Sequence, residues 1–126
     1  MAHFDEHCRD CERLLGDRHE KVNRWIDELF AKHGPEHRRY RHHGGGVREA
    51  QKKFGGDAAK AAIVHIVRDC GRVPLAMEYD KRTLFEFGEN IVVAPEHLRY
   101  DGLDETARQK FDKIVKAEFE RFGLPA

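Results

Sequence analysis

Between His37 and His43 the chain reads His-Arg-Arg-Tyr-Arg-His-His, then runs into Gly44-Gly45-Gly46. That places three imidazoles and three guanidinium groups within seven residues. Imidazole changes charge near neutral pH and is the commonest metal ligand. Arg38, Arg39 and Arg41 read most simply as a solvated face, and more sharply as a clamp for phosphate or carboxylate. Were the stretch one regular helix, His42 would be rotated about 140° from His37, and His43 about 240°. One metal could not then take all three, although either His42 or His43 could turn inward. A second pair, His65 and Asp69, lies inside the most apolar run of the chain. Its i, i+4 spacing puts both side chains on one helix face. A carboxylate in such surroundings must be paired, metal-bound or at the rim. The pair is therefore a metal or acid–base pair, an aspartate orienting a neutral core histidine, or a solvent-facing pair near the helix end. A third set, His3, His7, Cys8 and Cys11, includes a Cys-x-x-Cys spacing. A zinc finger needs a second ligand pair at a defined distance, and the remaining thiol is the remote Cys70. Packing of Cys8, Cys11 and Cys70 as small buried hydrophobes outweighs a zinc or redox thiol site.

The elements that must position these groups follow from apolar periodicity. Residues 4–15 form a first helix, with Phe4, His7, Cys8, Cys11, Leu14 and Leu15 at spacings of three and four. Gly16 breaks it and Asp17 is placed to cap a second helix over 18–32, whose stripe is Val22, Trp25, Ile26, Leu29 and Phe30. Gly34 stops that helix, and Pro35 opens a third that carries the histidine stretch. The third helix falters at the glycines and resumes over Val47–Phe54. Each glycine costs roughly 1 kcal/mol against alanine inside a helix, so three in a row mean a break or a close backbone approach. Asp57 caps a fourth, alanine-rich helix ending at Cys70, closed by Gly71. After Val73-Pro74 the pattern changes, and two short strands around Gly88-Glu89-Asn90 make a β-hairpin near 83–94. Asp104 caps a last helix over 105–122.

The totals set the class. At 126 residues, with 40% hydrophobic and 37% charged side chains, the chain makes one domain with a small core and a charged surface. Its 23 basic and 23 acidic residues cancel, which argues against a globally basic nucleic-acid binder. Nine histidines are the compositional outlier. An odd cysteine count fits reduced thiols, and Met1-Ala2-His3-Phe4-Asp5 lacks the basic and apolar regions of a secretory leader. With no apolar stretch approaching the ~20 residues of a bilayer span, a soluble cytoplasmic protein without membrane contact is expected. Walker-type glycine loops, His-Glu-x-x-His, Glu-x-x-His pairs and an elbow serine are all missing, which sets aside P-loop hydrolysis and the commoner metalloproteases.

The pattern His-Arg-x-x-Arg-His-His, then Phe-Gly, then His-x-x-x-Asp-x-Gly-x-x-Pro resembles a small bacterial and phage family of unknown function. Here it is carried by His37, Arg38, Arg41, His42, His43, Phe54-Gly55, His65, Asp69, Gly71 and Pro74. Trp25-Ile26-Asp27 is similar to that family's Trp-Phe-Asp, and His3 and His7 sit where its members carry histidines. The likeness covers roughly residues 3–75. It departs at Asn23, where the family has a histidine. The resemblance implies a shared helical scaffold and favours His37, His42, His43, His65, Asp69 and Asp27 over the cysteines as site positions. It implies no reaction.

The expectation is a mainly helical, compact bundle of four to five helices, with the third and fourth helices antiparallel. The leading functional reading is a divalent-metal site (zinc, nickel or iron) built from His7, one of His42 or His43, His65 and Asp69. Asp27, His37, Arg38 and Arg41 would lie around it as supporting or anion-binding groups. An open position on that metal would acidify water for hydrolysis of a phosphoester or amide. Two rivals use no catalysis. One is an interaction module gripping nucleic acid or an acidic partner with Arg38, Arg39, Arg41, Arg48, Lys52, Lys53 and Lys60. The other is a purely structural helical homodimer.

Overall fold

In the computed structural model, which describes residues 3–79 and 102–125, the helix α6 (Ala58–Cys70) runs through the middle of the molecule. Alanine, isoleucine and valine cover every side of it. A helix apolar all round is a buried one. Ala61, Ala62, Ile63, Val64, Ile66 and Val67 are all fully buried. Each fully buried Ile or Val contributes roughly 1.5–3 kcal/mol of apolar transfer. Four helices wrap α6: α1 (Phe4–Leu15), α2 (Glu20–Asp27), α5 (Gly44–Phe54) and α7 (Glu105–Arg121). The core so formed adds Cys11, Val22, Trp25, Ile26, Val47, Phe111, Val115 and Phe119. The protein is mainly helical, and no strand occurs among the described residues. The hairpin expected near 83–94 falls outside them. None of the described helices is long and apolar enough to cross a membrane.

Several local expectations need correction. The second helix is not continuous over 18–32. It ends as α2 at Asp27, and a single turn, α3 (Phe30–His33), follows. The carbonyl of Trp25 accepts from the Glu28 N–H (3.3 Å) and from the Arg41 guanidinium, which diverts it from the α-helical ladder. Gly34, at φ +60°, ends that turn, and Pro35 sits in a 3-10 turn, Gly34–His37, rather than opening a long helix. One further turn, α4 (Arg38–Arg41), completes the segment. Asp57 occupies the N-cap position of α6 without a capping bond; Gln51 Oε1 accepts from the Ala59 N–H instead (2.9 Å). Asp104 does cap α7, accepting from the Ala107 N–H at 2.8 Å.

The triple glycine is both a break and a close approach. The chain leaves α4 at His42 and passes through extended His43 (φ −160°, ψ 178°). It re-enters helix at Gly44, so the glycines form the first turn of α5. A Cβ on Gly46 would lie 1.9 Å from the Arg41 carbonyl oxygen. Only glycine lets the two turns meet so closely. The Gly44 N–H donates to the Pro74 carbonyl (3.1 Å) and the Tyr79 hydroxyl to the His42 carbonyl (2.8 Å), which fixes the corner on the chain beyond α6.

Gly46→Ala should therefore destabilise the protein by at least the 1–3 kcal/mol typical of overpacking, about that or more because backbone must move. Gly45→Ala, whose Cβ would meet only the movable His43 ring at 2.9 Å, should cost less. Urea midpoints of the two variants check the order.

Candidate metal centre

Five separate segments deliver polar side chains to one end of α6. His65 and Asp69 come from α6 itself and His7 from α1. Asn23 and Asp27 come from α2, His37 from the 3-10 turn, and His42 from the residue just beyond α4. His7, His42, His65, Asn23, His37 and Asp69 are buried, and the Asp27 side chain, 36% exposed, is the member that meets solvent. His37 and His42, which one regular helix would turn apart, come together. They lie on a 3-10 turn and at a helix end rather than on one regular helix, and their rings meet edge to face at 5.0 Å.

Asp69 is the hub. Its Oδ2 lies 3.1 Å from His42 Nε2 and 3.3 Å from His65 Nε2, and its Oδ1 lies 3.2 Å from His7 Nε2. Asp27 forms the second corner, 3.3 Å from His65 Nε2, 3.1 Å from His37 Nε2 and 3.5 Å from His42 Nε2. His7 and His65 stack with centroids 3.6 Å apart and planes 10° apart. Two imidazolium rings stacked this closely would repel each other.

The tautomers of two rings follow from their neighbours. The Asn23 amide nitrogen donates to the Arg18 and His19 carbonyls (3.0 and 3.1 Å), which can only accept, so its Oδ1 must face His65. His65 Nδ1 therefore carries the proton it donates to that oxygen (2.8 Å). His37 Nδ1 likewise donates to the Gly34 carbonyl (2.8 Å). In the neutral ring, both Nε2 lone pairs then point at carboxylates, which is unfavourable unless a proton or a cation stands between. Three of these contacts are hydrogen bonds, from His37 Nε2 to Asp27 and His42 Nε2 to Asp69 at 3.1 Å and from His65 Nε2 to Asp27 at 3.3 Å, all longer than the about 2.7–2.9 Å of a close imidazolium–carboxylate bond. Ligands about 2.1 Å from a tetrahedral cation lie about 3.4 Å apart. His7 Nε2 and Asp69 Oδ1 come to 3.2 Å without forming a hydrogen bond, and both are buried with no hydrogen-bond partner. Buried polar atoms left so are uncommon and point to an ion or a strained site. Two sets of groups can each hold a metal ion: His7, Asp27, His65 and Asp69, and Asp27, His37 and His42.

The charges agree with this picture. Burial would raise the pKa of Asp69, but His7, His42 and His65 overcome it and hold the carboxyl well below its usual range. Burial is likewise overcome at Asp27, chiefly by His65 and His37. Burial would lower His65, yet the charges of Asp27 and Asp69 push it up to about 9. For His42 burial wins, and its pKa falls to about 4.

His43 does not join the cluster. It sits at the N-cap of α5, where its Nδ1 accepts from the Gly46 N–H (3.3 Å). Arg38 approaches Asp69 from outside, its guanidinium 4.0 Å from Oδ1 and donating to the Asp69 carbonyl (3.1 Å). Arg41 lies over the Trp25 ring at 4.2 Å and pairs with Glu28 at 2.9 Å, and Arg39 donates to the Tyr79 carbonyl at 3.1 Å. The three arginines brace the segment rather than forming a solvated face. Cys8 and Cys11 are buried around Asn23, and Cys70 lies 3.7 Å from the Tyr79 hydroxyl. Burial pushes the Cys11 and Cys70 thiols up to about 12, so neither offers a ready thiolate. The residue that sequence reasoning undervalued is Asn23. In the sequence it stands out only as a departure from a histidine, whereas in the fold it sets the His65 tautomer. A polar residue on the otherwise apolar stripe with Val22 and Ile26 was the available signal.

Compared with protein-family models, with curated proteins and with solved structures, the chain gives no match. The likeness to the small bacterial and phage family thus rests on the quoted residues alone.

The raised His65 pKa gives stability that is fully present below about 6.5 and is lost as pH climbs to about 9. The His42 and aspartate shifts act at acid pH, being complete above 6.5 and 3.8. Metal-free protein should therefore lose stability between pH 6.5 and 9, and His65→Gln should flatten that slope. Unfolding midpoints of chelator-treated samples across this range measure it.

Proposed function

We propose that this protein binds a divalent metal ion through His7, His65 and Asp69, with Asp27 at the solvent edge and His42 alongside, and that it acts as a metal-dependent hydrolase. The observation that carries the reading is the 3.2 Å approach of His7 Nε2 to Asp69 Oδ1, both buried and neither hydrogen-bonded, beside a His65 Nε2 turned toward the carboxylates by the bond from Nδ1 to Asn23. Mixed imidazole and carboxylate ligands suit zinc, nickel or iron more than calcium or magnesium. When bound, such an ion supplies an acidified water and polarises the oxygen of a phosphoester or amide. The protein's own contribution is a set of ligands held by packing, and one carboxylate edge, on Asp27, through which substrate can reach the site. Of the positions the resemblance favours, Asp27, His37, His42, His65 and Asp69 gather here and His43 does not.

The nucleic-acid reading draws less support. Of its seven cations, Arg38, Arg39 and Arg41 hold backbone carbonyls, and Lys60 lies over the Phe119 ring at 5.5 Å. Arg48, Lys52 and Lys53 remain exposed on α5.

Elemental analysis of purified protein should find bound transition metal in stoichiometric amount. Chelation should lower the melting temperature, and zinc, nickel or iron should restore it. No metal, and no stabilisation on adding any of the three, would overturn the proposal. Loss of the bond that orients a metal-bound histidine typically costs 10–100-fold in affinity. Asn23→Leu should accordingly weaken metal binding by roughly that factor, read by competition with a chelating indicator.

A further inference from the structure

Asp27 belongs to both sets of candidate ligands, and that double membership is what the single-metal reading leaves unused. On one side its carboxylate faces His65, with both oxygens 3.3 Å from Nε2. On the other its Oδ1 faces His37 Nε2 at 3.1 Å and His42 Nε2 at 3.5 Å. His37 is held for this contact by more than proximity. It is 2% exposed, its Nδ1 proton is committed to the Gly34 carbonyl at 2.8 Å, and its ring meets that of Phe30 nearly at right angles, centroids 5.2 Å apart. Its remaining nitrogen, Nε2, therefore faces Asp27. His42 lies between the two carboxylates, 3.1 Å from Asp69 Oδ2. Its other ring nitrogen is buried without a hydrogen-bond partner.

We propose that the centre is dinuclear: Asp27 bridges two divalent cations, one held with His7, His65 and Asp69, the second with His37 and His42. This rests on the metal-site reading above and extends it. The second cation has three protein ligands and lies on the side of Asp27, the exposed member of the cluster, so water completes its shell. Two-metal sites place their ions about 3.5–4 Å apart and clamp a phosphoryl or acyl oxygen between them. A carboxylate flanked on both sides by imidazole nitrogens is the bridging group such a pair requires. Two divalent ions against Asp27 and Asp69 leave an excess of positive charge, which a bridging hydroxide and an anionic substrate would offset. The ligand class is thus a pair of transition-metal ions, and the substrate class a phosphoester in preference to an amide.

The test is the metal stoichiometry of the full chain. Metal-free protein is titrated with zinc by calorimetry and, separately, loaded with manganese for electron paramagnetic resonance. Two equivalents of zinc in the wild type, one in His37→Gln, and a spin-coupled manganese signal lost in that variant are the expected results. One equivalent in both proteins would overturn the dinuclear centre while leaving the metal site standing. Zero equivalents would remove both readings. Two equivalents retained in His37→Gln would overturn the assigned second ligand set. Should the variant fail to fold, the wild-type stoichiometry and the presence or absence of spin coupling decide the matter alone.

Discussion

A carboxylate buried at the end of an apolar helix is the constraint around which this protein is arranged. Asp69 sits on α6, among residues that are buried on every side, and its side chain is 2% exposed. An ionised carboxylate taken out of water costs several kcal/mol, roughly, even after local relaxation. No single neighbour offsets that. Three imidazoles from three segments, and a guanidinium 4.0 Å away, converge on it instead. The same convergence produces the cluster of nitrogen and oxygen atoms to which we assign metal. Structural need and chemical capacity are two aspects of one arrangement.

The neighbouring residue on α6 answers a similar need in the opposite direction. Arg68, also fully buried, pairs with Asp10 at 2.6 Å and Glu6 at 3.4 Å on α1, and lies 5.9 Å from the Phe111 ring. Burial raises the Asp10 pKa despite Arg68, whereas at Glu6 the Gly102 N–H and Arg68 overcome burial and lower it. Thus α1 meets α6 twice with charge. His7 is set against Asp69, and Asp10 and Glu6 against Arg68. Cys11 then falls beside Ala61, its thiol 3.9 Å from that carbonyl, so the two helices run antiparallel. Sliding α1 by one turn would strand both buried charges at once, and breaking a buried pair typically costs about 3–5 kcal/mol. Registry between the helices is therefore set by polar groups, while the alanines and valines set only their closeness.

Backbone freedom decides what the segment between α2 and α5 can deliver. A regular helix from Pro35 onward would send His37 and His42 in different directions. The 3-10 turn, the short α4 and the exit at His42 bring both inward, and Gly46 lets α5 begin hard against the Arg41 carbonyl. Arg38, Arg39 and Arg41 then tie this irregular stretch to carbonyls of Asp69, Tyr79 and Trp25. A segment with so few helical hydrogen bonds of its own needs such anchors. A strongly basic run thereby became internal bracing.

The sequence by itself determined the helical class, the buried character of α6, the stops at Gly16, Gly34 and Gly71, and the cap at Asp104, because periodicity and cap chemistry are local. It also singled out His65 and Asp69, since polar groups at helical spacing inside an apolar run demand partners, and beside them His7 and the pair His42 and His43. Local pattern could not choose between His42 and His43. The choice rests on the backbone turning extended at His43, which depends on contacts with Pro74 and Tyr79 more than 30 residues away. Nor could it show Asn23 fixing the His65 tautomer or Asp27 standing between two histidine groups. Those relations join positions remote along the chain, and only packing around α6 brings them within reach of one another.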